Sequence, residues 1–217
     1  MDITWIGHSC FKMKGRDVVV VTDPFSSDIG FTLPPLIADV VTVSHNHSDH
    51  NYTAGVESKI VFDTPGEFEF KGIRINGIRT FHDEARGSER GRNTMFLFVI
   101  DGLRILHCGD LGHIPDSELI DGLGDIDVLM LPVGGKYTLP IETAVELVHQ
   151  LEPKLVIPMH FAVAGLTIDV FGAEQFLHRL SVTIHRATNL TVNKNTLPEE
   201  GPVVYVLEPT ALGTPAS

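Results

Sequence analysis

The sequence predicts an α/β (α+β) protein built of two β-sheets with helices outside them. Three observations lead there. Short hairpin-like β patterns fill the chain up to about Cys108. Strand and helix patterns alternate from Ile114 onward. No linker, repeat or break in composition divides the 217 residues, so one domain over residues 1–209 is expected, followed by a disordered tail at 210–217.

The elements follow from local pattern. Ile3-Thr4-Trp5-Ile6 alternates and meets Gly7, a strand and a turn. Cys10–Lys14 is a second strand, with a hairpin turn at Gly15-Arg16. Asp17–Thr22 carries four consecutive valines and stops at Asp23-Pro24, because proline cannot extend a central ladder. Residues 25–35 read as a loop, and Val40-Val41-Thr42-Val43 as a buried strand. Residues 51–57 suit a short helix, Ser58–Phe62 a strand and Thr64–Glu67 a turn. Phe68–Arg79 reads as strands broken at Lys71-Gly72 and again at Asn76-Gly77. The charged stretch 85–93 is a surface loop, and Thr94–Ile100 with Leu103–Cys108 forms a hairpin about Asp101-Gly102. Helices are expected at 114–123, 141–151 and 171–180, and strands at 128–131, 155–157 and 203–207.

Bulk properties narrow the function classes. A hydrophobic share of 43% argues for a globular chain. No apolar run nears the ~20 residues of a membrane span. The first residues carry no basic stretch followed by an apolar one, so a cytoplasmic protein is expected. Two cysteines, Cys10 and Cys108, make no disulfide framework and match a reducing compartment. The net charge of −12 weighs against nucleic acid and anionic membranes as partners. A small anionic substrate remains open, because bound metals would dominate the local field. Sheet edges leave self-association into a homo-oligomer open, with no symmetry specified.

The chemistry concentrates in Ser44-His45-Asn46-His47-Ser48-Asp49-His50, directly after a predicted strand. Neutral imidazole and carboxylate are the donors that Zn²⁺ and similar ions take. His45 and His47 stand two apart, which on an extended chain sets them on one side. Asp49 and His50 come after the strand, where the chain turns toward a second point. That arrangement suits two adjacent ions better than one. Three later positions, His82, Asp110 and His160, also fall at the C-terminal ends of predicted strands and can converge on the same rim.

The pattern His-x-His-x-Asp-His resembles the signature of the metallo-β-lactamase superfamily, and the order of the later sites resembles it from Ile3 to Pro209. Within it the chain looks like the branch holding ascorbate-6-phosphate lactonase and small metal-dependent hydrolases. That closer likeness rests on Gly7-His8-Ser9, Asp23-Pro24, His107–Gly112, Leu131–Gly135 and Pro158–Phe161. The resemblance implies a four-layer αββα sandwich. It implies one ion on His45, His47 and His82, a second on Asp49, His50 and His160, and Asp110 bridging them. Zn²⁺ is the first expectation, with Mn²⁺ or Fe as alternatives. The implied reaction is hydrolysis of a lactone or phosphoester by water or hydroxide bridging ions ~3.5–4 Å apart. Asp49 and Asp110 would be its catalytic carboxylates.

Around this set, His8, Lys136, Tyr137, Arg92 and Asn93 are candidates for substrate binding, and Asp23 for a hydrogen bond to a ligand histidine. Cys108 reads as a packed thiol and His107 and His113 as structural. Cleavage of RNA, and an iron-dependent oxidoreductase on the same scaffold, stand as alternatives.

Overall fold

The structure, a computed structural model, describes residues 1–211. It contains two mixed β-sheets. The first is ordered β13-β1-β2-β3-β4-β5, with β1 Asp2–Gly7, β2 Cys10–Lys14, β3 Val19–Thr22, β4 Leu36–Thr42, β5 Val56–Phe62 and β13 Leu190–Thr191. The second is ordered β12-β14-β11-β10-β9-β8-β7-β6. Its strands are β6 Gly66–Phe70, β7 Ile73–Phe81, β8 Arg92–Ile100, β9 Leu103–His107, β10 Val128–Pro132, β11 Leu155–Met159, β12 Ile184–Ala187 and β14 Val203–Leu207. The helices are α1 Ser117–Leu123, α2 Ile141–Leu151 and α3 Glu174–Leu180.

The period-two alternation of the strands divides the core. Ile3, Trp5, Phe11, Met13, Val20 and Val40 join Phe96, Phe98 and Ile105 of the second sheet in one buried cluster between the sheets. The other face of the first sheet carries Ile6, Cys10, Val21 and Val41, which pack with Phe25, Ile29 and Phe31 instead. The buried residues of the three helices all belong to the large cluster and none to this second one. Among the described residues the three helices therefore pack on the side of the second sheet. The first is roofed by residues 25–35, with a 3-10 turn at Ser27–Ile29, and by Leu166 and Ile168. The expected outer helix layer is a loop on this side, because Phe25, Ile29 and Phe31 bury the apolar face without helical periodicity.

Both hairpin turns on Lys71-Gly72 and Asp101-Gly102 have positive φ at each central residue, matching the right-handed twist of their strands. Asn76-Gly77 does not break the chain. Gly77 pairs with Gly66 on one side and Phe96 on the other, and an added Cβ would lie 2.8 Å from the Thr64 carbonyl. This glycine serves close approach inside a continuous strand. Strands β12 and β13 carry no alternating apolar signal; β12 is largely exposed. α1 and α3 start three residues later than expected. Asp116, behind Pro115, caps α1 by accepting the Leu119 amide, and Phe171 is tied in extended form to Gly134 O.

The expected tail begins differently too. Thr210 and Ala211 donate their amides to Trp5 O and Ile6 O, and Ala211 is buried. Residues 212–217 lie outside the described residues. Among the described residues no helix is long and apolar enough to cross a membrane.

Candidate metal centre

Strand direction assembles the site. β1, β3 and β4 run the same way in the first sheet, as do β7, β9 and β11 in the second. The chain leaves β1 into His8, β3 into Asp23, β4 into the Ser44–His50 loop, β7 into His82, β9 into Asp110 and β11 into His160. One rim of the sandwich thus receives every one of these side chains. The motif is itself a turn rather than a strand extension. β4 ends at Thr42, and the His50 and Asn51 amides both donate to His47 O.

At the centre lies one oxygen. Asp110 Oδ2 is 3.1 Å from His82 Nε2, 3.3 Å from His50 Nε2, 3.3 Å from His160 Nε2 and 3.8 Å from His45 Nε2. A carboxylate oxygen has two lone pairs, so four imidazole N–H groups cannot all donate to it. Shared cations would relieve that excess. On one side His45, His47 and His82 bring donor atoms within 4.8 Å of one another; on the other, His8, Asp49, His50 and His160 do so. His50 Nε2 and Asp110 Oδ1 are buried with no hydrogen-bond partner among the described residues, which is costly unless something coordinates them.

The imidazoles are aimed from behind. His50 Nδ1 donates to Asp23 Oδ2 at 2.9 Å. Ser44 Oγ donates to the same Oδ2 at 2.7 Å and stands 2.9 Å from His45 Nδ1. This network puts the Nδ1 proton of each histidine outward and leaves Nε2 facing the cluster. Asn93 holds the third wall: its Oδ1 accepts the Asp110 amide, and its Nδ2 donates to Cys108 O and Thr80 Oγ1. Gly112 lets that segment press on the next one, since a Cβ there would strike the backbone of His82 and Asp83. His107 donates to Ser9 O and His113 accepts the Phe81 amide, both structural contacts.

The charge states favour coordination. Burial, followed by the neighbouring His50, lowers His45 to about 3; burial and His160 lower His8 to about 4. Burial and His82 lower His47. These imidazoles are neutral at pH 7, as ligands must be. Burial opposes ionisation of Asp110, but His160 and His50 outweigh it and hold the carboxyl well below its usual range. His50 goes the other way: burial lowers it, yet Asp110 and Asp49 raise it well above 6.5.

The model of the β-lactamase superfamily domain matches residues 2–160 of this rim and its strands. The chain belongs to the metallo-β-lactamase superfamily. It is 33% identical over 201 residues to a UPF0173 metal-dependent hydrolase of Thermoplasma acidophilum, covering 80% of this chain and 87% of that one. A crystal structure from Thermotoga maritima, assigned to the Zn-dependent hydrolases of the superfamily, is 34% identical with a TM-score of 0.78, over 95% of this chain and 98% of that chain. The diiron β-hydroxylase CmlA of Streptomyces venezuelae shares the fold alone, at 14% identity and a TM-score of 0.66, over 98% of this chain and 54% of that chain.

The seven side chains expected as ligands, His45, His47, Asp49, His50, His82, Asp110 and His160, come together at this rim, and His8 joins them. His8 is fully buried, its Nε2 3.0 Å from Asp49 Oδ2, so it sits in the donor cluster rather than on a substrate surface. Asn93 is likewise buried scaffold and not a surface contact. Lys136 pairs at 2.7 Å with Asp169, which lines the cavity over the cluster. Tyr137 does line the cavity of about 660 Å³ that exposes His47, Asp49, His82, Asp110 and His160. Arg92 lines a neighbouring cavity of about 440 Å³ beside His45 and His47. Sequence reasoning missed Arg90, which lines both cavities, and Asp83, which shapes its loop. The signal was there: an acid directly after His82, followed by a charged segment spaced by Gly87 and Gly91.

Proposed function

We propose that the chain is a dinuclear metal-dependent hydrolase acting on a small anionic substrate, a lactone or a phosphoester. The observation that carries this reading is the pair of donor groups meeting at Asp110 Oδ2. His45, His47 and His82 would hold one divalent ion, and Asp49, His50 and His160 the other. When bound, such ions polarise a carbonyl or phosphoryl oxygen and make water a nucleophile near neutral pH. Zn²⁺ suits this set, as do Mn²⁺ and Fe. The naming of the Thermoplasma and Thermotoga relatives supports the hydrolytic class.

The chain's own residues prepare the site. Asp23 holds His50 directly and His45 through Ser44, so neither ring reorganises when substrate arrives. His8 restrains Asp49, whose side chain is 21% exposed at the cavity wall and is the carboxylate placed to orient an attacking water. The free thiols Cys10 and Cys108 are both buried, which agrees with a cytoplasmic setting.

The test is metal analysis by mass spectrometry on protein purified without chelator or nickel affinity, beside a His47→Ala variant. About two ions per chain, fewer in the variant, are expected for such a site. Hydrolysis of model esters lost in Asp49→Ala, with an unchanged circular dichroism spectrum, completes it. One iron per chain would favour the oxidoreductase reading.

A further inference from the structure

We propose that Arg79, Arg90 and Arg92 form an anion subsite beside the metal centre, selecting substrates that carry a phosphate or carboxylate near the scissile bond. This rests on the hydrolase reading and says where and how the substrate's charge is held.

The register of β7 and β8 makes the first part of the argument. Arg79 stands opposite Thr94 and Phe81 opposite Arg92. Residues opposite each other, and residues two apart, share a face of a sheet. Arg79 and Arg92 therefore project together, while Thr80 and Asn93 between them lie on the other face, buried and hydrogen-bonded to each other. Both arginines line the cavity of about 440 Å³ that also exposes His45 and His47.

Arg90 comes from a loop built to hold it. The Asp83 carboxylate accepts the amides of Gly87 at 2.8 Å, Glu89 at 3.1 Å and Arg90 at 2.7 Å. The loop is closed onto the centre by the His82 amide donating to Gly91 O at 3.0 Å. The Arg90 guanidinium lies 6.0 Å from the Tyr137 ring centroid. It lines all three cavities that meet around the centre. A loop that needed only to be soluble would not require its backbone tied to the carboxylate next to His82.

Charge use points the same way. The fold pairs Lys59 and Lys71 with Asp39, Lys136 with Asp169 and Lys194 with Asp127. Among the described residues Arg79 and Arg92 have no ion pair, and the exposed Arg90 meets only its exposed neighbour Glu89, at 3.5 Å. Asp63 is the acid that shares the mouth. In a chain of net charge −12, three guanidiniums at one opening are a local reversal of field. Guanidinium forks match the paired oxygens of phosphate and carboxylate.

The experiment uses metal-loaded protein: wild type, Arg90→Ala and the double variant Arg79→Ala/Arg92→Ala. Inorganic phosphate and malonate are titrated calorimetrically, and hydrolysis of bis(p-nitrophenyl) phosphate is compared with that of neutral p-nitrophenyl acetate. Each variant is expected to weaken at least one anion by roughly 10-fold, the scale of one charge-assisted contact. KM for the charged ester rises while the neutral ester and the metal content stay at wild-type values. Stronger loss for phosphate marks a phosphoester substrate; stronger loss for malonate marks a carboxylate. Unchanged affinity for both anions overturns the subsite. So does equal loss on the neutral ester, or loss of metal, because the arginines would then merely support the His82 loop. If neither ester is hydrolysed but anion binding still depends on the arginines, the subsite stands and the hydrolase reading falls.

Discussion

The two sides of the metal centre are built differently. On the His50 side every imidazole is sealed: His8 and His50 are 0% exposed and His160 1%. Asp23, itself 0% exposed, braces His50 directly. On the other side His45 and His82 are buried but His47 is exposed, and among the described residues its hydrogen bond within the cluster is to His45 Nε2 at 3.0 Å. The arginine-lined mouth opens on this second side. Buried, pre-oriented donors bind tightly and exchange slowly, whereas a donor reaching into solvent can yield to substrate or release its ion. The contrast lies in the imidazoles: those of one half are sealed and braced, the other half offers the exposed His47, and the larger cavity reaches both through Asp49 and His47.

The strongest way to break this comparison is to remove what the two sides share. Asp110→Ala deletes the oxygen on which four imidazoles converge. Both sides should fail together, with metal content well below wild type and activity reduced by ~10³-fold or more. If metal analysis shows one ion retained at full affinity, Asp110 does not bridge and the two sides are independent.

Asp23→Asn attacks only the brace. Ser44 and His50 keep a hydrogen-bond acceptor but lose the charge that fixes the Nδ1 proton. The expected loss is ~10–100-fold in metal affinity, the usual range for such supporting contacts. It should fall mainly on the His50 side, read by competition with a chelator in the variant and in wild type. A loss confined to the His47 side would reverse the assignment of rigid and open halves.

The unmodified protein sharpens the point without mutation. Titration with a graded chelator should release metal in two steps, the first belonging to the exposed His47 side. His47→Ala should abolish the first step and leave the second near its wild-type position. A single step in both proteins would mean that burial does not separate the two affinities.

Much of the rim was legible before the structure because strand ends announce themselves. Val20-Val21-Thr22 stops at Asp23-Pro24, and Ile105–His107 runs into Gly109-Asp110; in each case a β-branched or apolar run meets a residue that cannot continue it. What was not legible lies away from the apolar strands. The roof of the first sheet is a loop whose Phe25, Ile29 and Phe31 are spaced by four and then by two, so neither the helical nor the strand period runs through it to mark it as core. β12 is mostly exposed and lacks the alternating apolar face that a half-buried strand shows. Arg90 was marked only by the acid after His82 and the glycine-spaced charged segment, because its position depends on the Asp83 carboxylate gathering three amides of its own loop, which a sequence does not display.

Lys136 carries the smallest predicted effect and is the control for the open side. Its position after Gly134-Gly135 suggested a substrate contact, yet it donates to Asp169 at 2.7 Å and lies 4.8 Å from the centroid of the Phe171 ring. The side chain of Asp169 is 78% exposed and that of Lys136 32%, so the pair is screened and worth ~0–1 kcal/mol. Lys136→Ala should therefore shift thermal stability by no more than a few degrees. It should leave KM for a charged ester within about twofold, where Arg90→Ala raises it by roughly 10-fold. If the lysine variant matches the arginine variant in KM, anion recognition belongs to the whole rim, and the asymmetry between the two sides of the centre does not extend to the substrate.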